Sequence, residues 1–345
     1  MKKLPSTRPL ADVSGSKGPR QLAGAILSAS VLACGNALAL GFLVPAYFDP
    51  GTSGTAWAPL YQAAQRVPLV AIANPNSGPT GSRIPNYTRA ITDLRAAGGR
   101  VVGYVSSAYG KRPLSAVKLD VDRYDSFYTL DGIFVDELTN DADPAHLSYY
   151  QELYQYIRNK RSTYLVIGNP GTTTLAVYLS RPVVTGLVTF ENNSGYDSYI
   201  PDLWTKSYPA DVITHLCYAV PSAATMTNYV QLAVKRNAGY IYVTDDSGNN
   251  PWDTMPSYWM NEVNLVEQIN RTAATNRPAM LNIGLQPNNS IQVGITGAPG
   301  RYILEKSENL RDWKPLLTNV TATGNFQVQE LISATNAPRL YRTEQ

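Results

Sequence analysis

Histidine and cysteine are nearly absent. The 345 residues hold two of each: His146 and His215, Cys34 and Cys217. That scarcity largely excludes zinc clusters, Cys–His nucleophile pairs and disulfide scaffolds. Charge is thin too, at 16% of residues with an overall balance of +3. Residues 1–39 carry Lys2, Lys3, Arg8, Lys17 and Arg20 against Asp12, a net of +4, so the remainder carries −1. A nearly neutral chain lacks the basic surface that nucleic-acid binding needs. No Gly-rich phosphate loop or dinucleotide fingerprint follows a strand-like run, because Gly294-Ile295-Thr296-Gly297 falls in a later β region. Asp141-Ala142-Asp143 has half the spacing of a calcium loop without its Gly and Glu. No metal and no cofactor are expected. Phenylalanine is also short, 6 residues against 23 Tyr and 5 Trp. Tyr and Trp pair a flat apolar face with a polar tip, which suits a wet, carbohydrate-facing cleft as well as a core.

Apolar residues make up 44% of the chain, enough for a sizeable core. Residues 1–20 are cationic and polar, and 21–40 (QLAGAILSASVLACGNALAL) are apolar and small. The run closes on Ala37-Leu38-Ala39, which reads as a secretory signal peptide cleaved after Ala39. It is too short and too rich in Ala, Gly and Ser for a membrane span. The competing reading is a lipoprotein box at Val31–Cys34 with Cys34 acylated. The mature chain, secreted or held at the cell envelope, is expected as a monomer without a membrane span. With Cys217 alone left, it should carry no internal disulfide. Cys217 itself reads as a small buried residue on a strand.

Eight short runs rich in Val, Ile and Tyr follow: Phe42–Phe48, Pro68–Ala73, Val101–Ser106, Gly132–Glu137, Tyr164–Gly168, Gly186–Glu191, Val212–Tyr218 and Tyr240–Thr244. Helical periodicity separates several of them, as in Asn86–Ala97, Ala145–Lys160, Thr225–Arg236 and Met255–Asn270. Alternating strands and helices over 40–276 predict a parallel (β/α)8 barrel of the TIM type. Pro45 within the first run resists, since a central strand tolerates Pro poorly. After about residue 277 helical period is lost. SIQVGI, RYILEKS, DWKPLL, NFQVQEL and RLYRTE alternate between turn signals, so 279–345 reads as a small all-β, sandwich-like module, with the junction at Arg277-Pro278.

Functional groups of such a barrel gather at the C-terminal ends of its strands. The fourth run drives apolar residues straight into Asp136 and Glu137, and the sixth ends on Glu191. Strands four and six are two apart, so their ends can face each other across the mouth. Paired carboxylates across a cleft are the apparatus of glycoside hydrolysis. Adjacent strand residues point to opposite faces, so either Asp136 or Glu137 is withdrawn from the mouth, or the strand ends between them. Tyr47, Asn76, Tyr104, Tyr109, Arg112, Asn169, Tyr218 and Asp245 lie at or beyond other strand ends and supply the rings, amides and charges of a polar cleft. For the Asn-Pro and Pro-Gly pieces the competing reading is turn chemistry, and for each acid it is a loop cap or salt bridge. Lys111 lies in a solvated loop, His146 on a helix surface, and His215 at a hydrogen-bonded core position.

The motifs Asn-Pro-Asn-Ser-Gly (74–78), Val-Val-Gly-Tyr-Val (101–105) with Tyr109-Gly110, Asp-Gly-Ile-Phe-Val-Asp-Glu (131–137), Asn-Pro-Gly-Thr (169–172) and Phe-Glu-Asn (190–192) resemble, in order and spacing, those of the spherulin-4 family. That family is similar to glycoside hydrolase family 135 and more distantly to the family 114 polygalactosaminidases. The resemblance implies an endo-acting hydrolase of α-1,4-linked galactosamine or N-acetylgalactosamine in secreted polysaccharides of the galactosaminogalactan kind. It places the strand-four acidic pair on Asp136 and Glu137 and the strand-six acid on Glu191. The distant relatives look like retaining enzymes. Phe190 and the apolar run before it desolvate Glu191 and make it the expected general acid, with Asp136 as nucleophile or base and Glu137 as a supporting acid. A donor such as Tyr104 or Asn169 is expected beside Asp136. The alternative is a non-catalytic carbohydrate-binding or envelope protein on the same barrel.

Overall fold

The computed structural model describes residues 39–52, 54–275, 280–286, 290–297, 300–321, 325–331 and 339–344. The expected leader with Cys34, and the Arg277-Pro278 junction, lie outside the described residues. Eight parallel strands close a barrel in sequence order: β1 (Gly41–Ala46), β2 (Leu69–Ala73), β3 (Arg100–Ser106), β4 (Gly132–Asp136), β5 (Leu165–Gly168), β6 (Gly186–Asn192), β7 (Ile213–Cys217) and β8 (Tyr240–Val243). Each corresponds to one of the eight apolar runs. Their residues are buried almost throughout, as parallel strands covered on both faces must be.

Helices α1 (Ala58–Ala64), α2 (Pro85–Ala96), α3 (Leu114–Phe127), α4 (Pro144–Lys160), α5 (Val177–Ser180), α6 (Ala223–Lys235) and α7 (Trp259–Thr275) surround the barrel. α4 shows why they form. Asp143 caps it by accepting from the Ala145 N–H at 2.7 Å, Pro144 opens it, and Leu147, Tyr150, Leu153 and Ile157 bury one stripe. Between β6 and β7 only two short 3₁₀ turns occur, Leu203–Ser207 and Ala210–Val212. Pro201 and Pro209 interrupt that segment. Gly103 in β3 is fixed by packing, since a Cβ there would sit 2.7 Å from the ring of Tyr124.

Pro45 is accommodated because the β1–β8 ladder stops early. β1 pairs β2 along Phe42–Ala46, but it pairs β8 only at Gly41 and Phe42. The Gly41 N–H points to the β8 side and the Phe42 N–H to the β2 side. By alternation the Pro45 nitrogen faces β8, beyond the last pairing, so its missing hydrogen costs no ladder bond. The opened seam is filled by aromatics: Trp259 packs on Phe42 at 4.8 Å, and Trp252 and Trp259 flank Tyr242. Glu262 of α7, fully buried, accepts from the Val243 N–H at 3.1 Å, where the ladder has gone.

Beyond the barrel lie two antiparallel three-stranded sheets. One orders β13 (Asn325–Leu331), β10 (Ser290–Thr296) and β9 (Met280–Gln286); the other orders β12 (Lys314–Thr321), β11 (Gly300–Ser307) and β14 (Leu340–Glu344). They share a small core of Val293, Ile295, Tyr302 and Leu304. This agrees with the expected β module and adds β9, whose LNIGLQ stretch carries a weak alternation.

Candidate active site

The site grows from the end of β4. Ile133, Phe134 and Val135 are buried, and the strand ends on Asp136. Glu137 then takes a left-handed backbone, φ 52°, which turns the chain out of the sheet. The strand therefore ends between the two acids, so alternation no longer keeps them apart. A non-glycine residue in this region carries strain of about 1–2 kcal/mol. The β3–α3 loop supports it. The Tyr109 N–H and the Ser107 hydroxyl both reach the Glu137 carbonyl at 2.7 Å, and the Ser106 hydroxyl donates to the Glu137 carboxylate. Ala108 and Tyr109 are themselves left-handed, at φ 48° and 55°.

Asp136 and Glu191 meet through Asn169. One nitrogen, Asn169 Nδ2, donates to Asp136 Oδ1 at 2.8 Å and to Glu191 Oε2 at 2.7 Å. The hydrogens of a planar amide diverge by about 120°, so these oxygens lie roughly 5 Å apart. Tyr104 donates its hydroxyl to the other oxygen of Asp136 at 2.8 Å. Both expected donors are thus in place. Asp136 is pushed up by burial, against the hydrogen bonds of Tyr104, the Glu137 backbone and Asn169; the Glu137 charge pushes it up further. Glu191 is pushed up to about 7, chiefly by burial, with Asn169 opposing and the Asp136 charge adding. It thus titrates near neutrality, where a general acid is effective.

Aromatic rings wall the acids. Tyr47 meets Tyr104 edge-on at 5.6 Å, and burial with the Asp136 charge raises its hydroxyl far above the usual range. Tyr109 is 47% exposed on the rim. Its phenol is raised by burial and by the charges of Glu137, Asp136 and Glu191. Tyr218 follows β7, the neighbour of β6; its N–H donates to the Asn192 carbonyl at 3.2 Å, beside Glu191, and its ring lies edge-on to Trp252.

Three sequence candidates hold structural posts instead. Asn76 is exposed in a tight turn, with its N–H on the Gly78 carbonyl. Arg112 binds the Ser106 carbonyl at 3.0 Å and Asp120 at 2.5 Å, which clamps the β3–α3 loop rather than facing the acids. Asp245 accepts from the backbone and hydroxyl of Ser257, a loop cap. At Asp245 cap chemistry prevailed, its carboxylate taken by the Ser257 N–H and hydroxyl; at Asn76 turn chemistry prevailed, carried by its own backbone and by Asn74, whose side-chain oxygen accepts from the Gly78 N–H at 2.9 Å. His215 is buried, with Nδ1 bonded to the Tyr196 hydroxyl at 2.7 Å, and Cys217 is free and buried. His146 pairs with Asp141 on the surface. Sequence reasoning missed Ser106 and Ser107 as supports of Glu137, and Trp252 packed on Tyr218. The Ser-Ser pair directly after β3 was the signal for the former.

Comparison with known proteins follows the same lines. The model of Spherulation-specific family 4 matches residues 41–266. Spherulin-4 of Physarum polycephalum is 35% identical over 244 residues, 66% of this chain and 70% of that protein. Among solved structures, Aspergillus clavatus Sph3 in complex with GalNAc superposes with a TM-score of 0.57. It is 24% identical and covers 67% of this chain and 98% of its own, a likeness of fold.

Proposed function

The chain belongs to spherulation-specific family 4, and from that premise we propose that it is an endo-acting glycoside hydrolase. Its fold is that of carbohydrate-active TIM barrels. The observation that carries the reading is the pair of partly buried carboxylates, Asp136 and Glu191, bridged by one amide whose geometry sets the two bonded oxygens about 5 Å apart. Carboxyls this close leave no room for a water between them and sugar, which favours the double-displacement, retaining course. Asp136, with donors on both oxygens, stays ionised and attacks the anomeric carbon. Glu191 gives its proton to the departing glycosidic oxygen. It then takes a proton from the water that cleaves the glycosyl–Asp136 ester. Glu137, bonded to Ser106, orients substrate beside them.

The substrate proposed is α-1,4-linked galactosamine or N-acetylgalactosamine within a secreted polysaccharide. The family resemblance supports this, as does the GalNAc bound by Sph3. Tyr109 on the rim offers a ring face to a pyranose. Residues 40–276 form the proposed catalytic domain and 279–345 an appended module. The leader implies export, with a lipid at Cys34 as the other route to the envelope.

Purified protein incubated with galactosamine-containing polysaccharide should release reducing ends. Asp136→Asn and Glu191→Gln should each lose at least ~10²-fold in rate with the fold unchanged. Tight polysaccharide binding without product would instead establish the non-catalytic carbohydrate-binding reading.

A further inference from the structure

Asn169 is 4% exposed and bonded on every side. Its backbone N–H donates to the Val135 carbonyl at 2.9 Å, and its carbonyl accepts from Leu138 at 2.8 Å. Its side-chain oxygen accepts from the Gly171 N–H at 3.0 Å. That last bond settles the orientation of the amide. Turned over, it would face a donor with a donor and two carboxyl oxygens with a third acceptor. The NH₂ group is therefore directed at Asp136 and Glu191 and supplies one hydrogen to each.

An oxygen that accepts from N–H cannot carry a proton toward it. Asp136 Oδ1 and Glu191 Oε2 are thereby closed to protonation on that side. Asp136 Oδ2 receives the Tyr104 hydroxyl, and that phenol is held far above its usual titration range by burial and by Asp136. It remains a donor. Of the four carboxyl oxygens, Glu191 Oε1 alone lacks a donor among the described residues. We infer that Asn169 is a positioning residue that, with the Tyr104 hydroxyl closing Asp136 Oδ2, leaves the one exchangeable proton of the pair to Glu191 Oε1 and keeps Asp136 ionised. The inference deepens the hydrolase reading and rests on it for its catalytic consequence. The same two hydrogens then stabilise the doubly ionised pair that exists once Glu191 has given up its proton. The titratable groups facing the pair are Glu137, Tyr104, Tyr47 and Tyr109. No Lys, Arg or His donates to either carboxyl among the described residues, so the amide has no cation to share this task with.

Carboxyl ¹³C NMR of the Asp- and Glu-labelled protein tests this without requiring turnover, with Asp136→Asn and Glu191→Gln assigning the signals. In the wild type, Glu191 should titrate near 7 and Asp136 below it. Asn169→Ala removes a hydrogen bond from each charged form, so both midpoints should rise, by roughly one pH unit. Asn169→Asp keeps the shape and the Gly171 bond but offers at most one hydrogen, and should shift both midpoints in the same direction. Both limbs of the pH–rate profile should follow. Midpoints that stay in place or fall in either folded variant overturn the inference. So does a rate loss with the limbs unmoved, which marks a merely structural asparagine. If the carboxyls titrate as stated but no polysaccharide is cleaved, the hydrolase reading fails and the proton placement stands.

Discussion

Replacing Glu191 with Gln should abolish activity and stabilise the protein, by an amount that depends on pH. The folded environment raises the Glu191 carboxyl from 4.5 to about 7, mainly through burial. Between those values the folded protein holds a proton that the unfolded chain has released. Stability therefore falls as pH rises through this window, by at most about 1.4 kcal/mol per unit, and levels off above it. The full shift corresponds to about 3.4 kcal/mol. The side chain is partly open to the mouth, which reduces this to roughly 2–3 kcal/mol. Gln keeps an oxygen for Asn169 and has no charge to desolvate. The variant should match the wild type near pH 4.5 and exceed it by that margin at pH 8, a melting shift of roughly 5–10 °C. Thermal and urea unfolding of both proteins at pH 4.5, 6 and 8 measure it. A stability difference that is flat across pH would show that Glu191 is not held protonated near neutrality, and the acid assignment would fall with it.

Tyr104→Phe removes the hydroxyl on Asp136 but keeps the ring packed against Tyr47 and Phe134. It should lower kcat roughly 10- to 100-fold, move the acid limb of the pH–rate profile upward, and leave the melting temperature within a few degrees. At the β1–β8 seam, Glu262 is raised well above its ordinary value by burial, so its burden on stability grows as pH rises. Glu262→Gln keeps an acceptor for the Val243 N–H and should gain stability from pH 5 to pH 8. Glu262→Ala orphans that N–H and leaves a cavity, and should lose about 2–4 kcal/mol in urea unfolding.

The barrel was legible because parallel strands covered on both faces must be continuous apolar runs, and each of the eight stands out as one. Pro45 looked anomalous only because a single sequence does not show where a ladder stops. The connection after β6 was illegible for the opposite reason, since its prolines allow only 3₁₀ turns where a helix belonged. At the site, Asp136 and Glu191 were visible as acids that end apolar strands. Asn169 was visible as a donor to Asp136 but not as a bridge, because that depends on its Oδ1 being pinned by Gly171. Arg112 and Asp245 sat at the right strand ends, yet their local partners, Asp120 and Ser257, lie 8 and 12 residues on, where local pattern carries no sign of them.

The central claim is that Asp136 and Glu191, joined by Asn169 at about 5 Å, form a retaining pair. The direct test is the anomeric configuration of the first-formed product, followed by ¹H NMR before mutarotation, during cleavage of an α-1,4-linked galactosamine oligomer. Retention is expected, with the new reducing end appearing as the α-anomer and the β-anomer growing in later. A β-anomer formed first would mean that water attacks directly from the opposite face, and would contradict the assignment of Asp136 as the nucleophile.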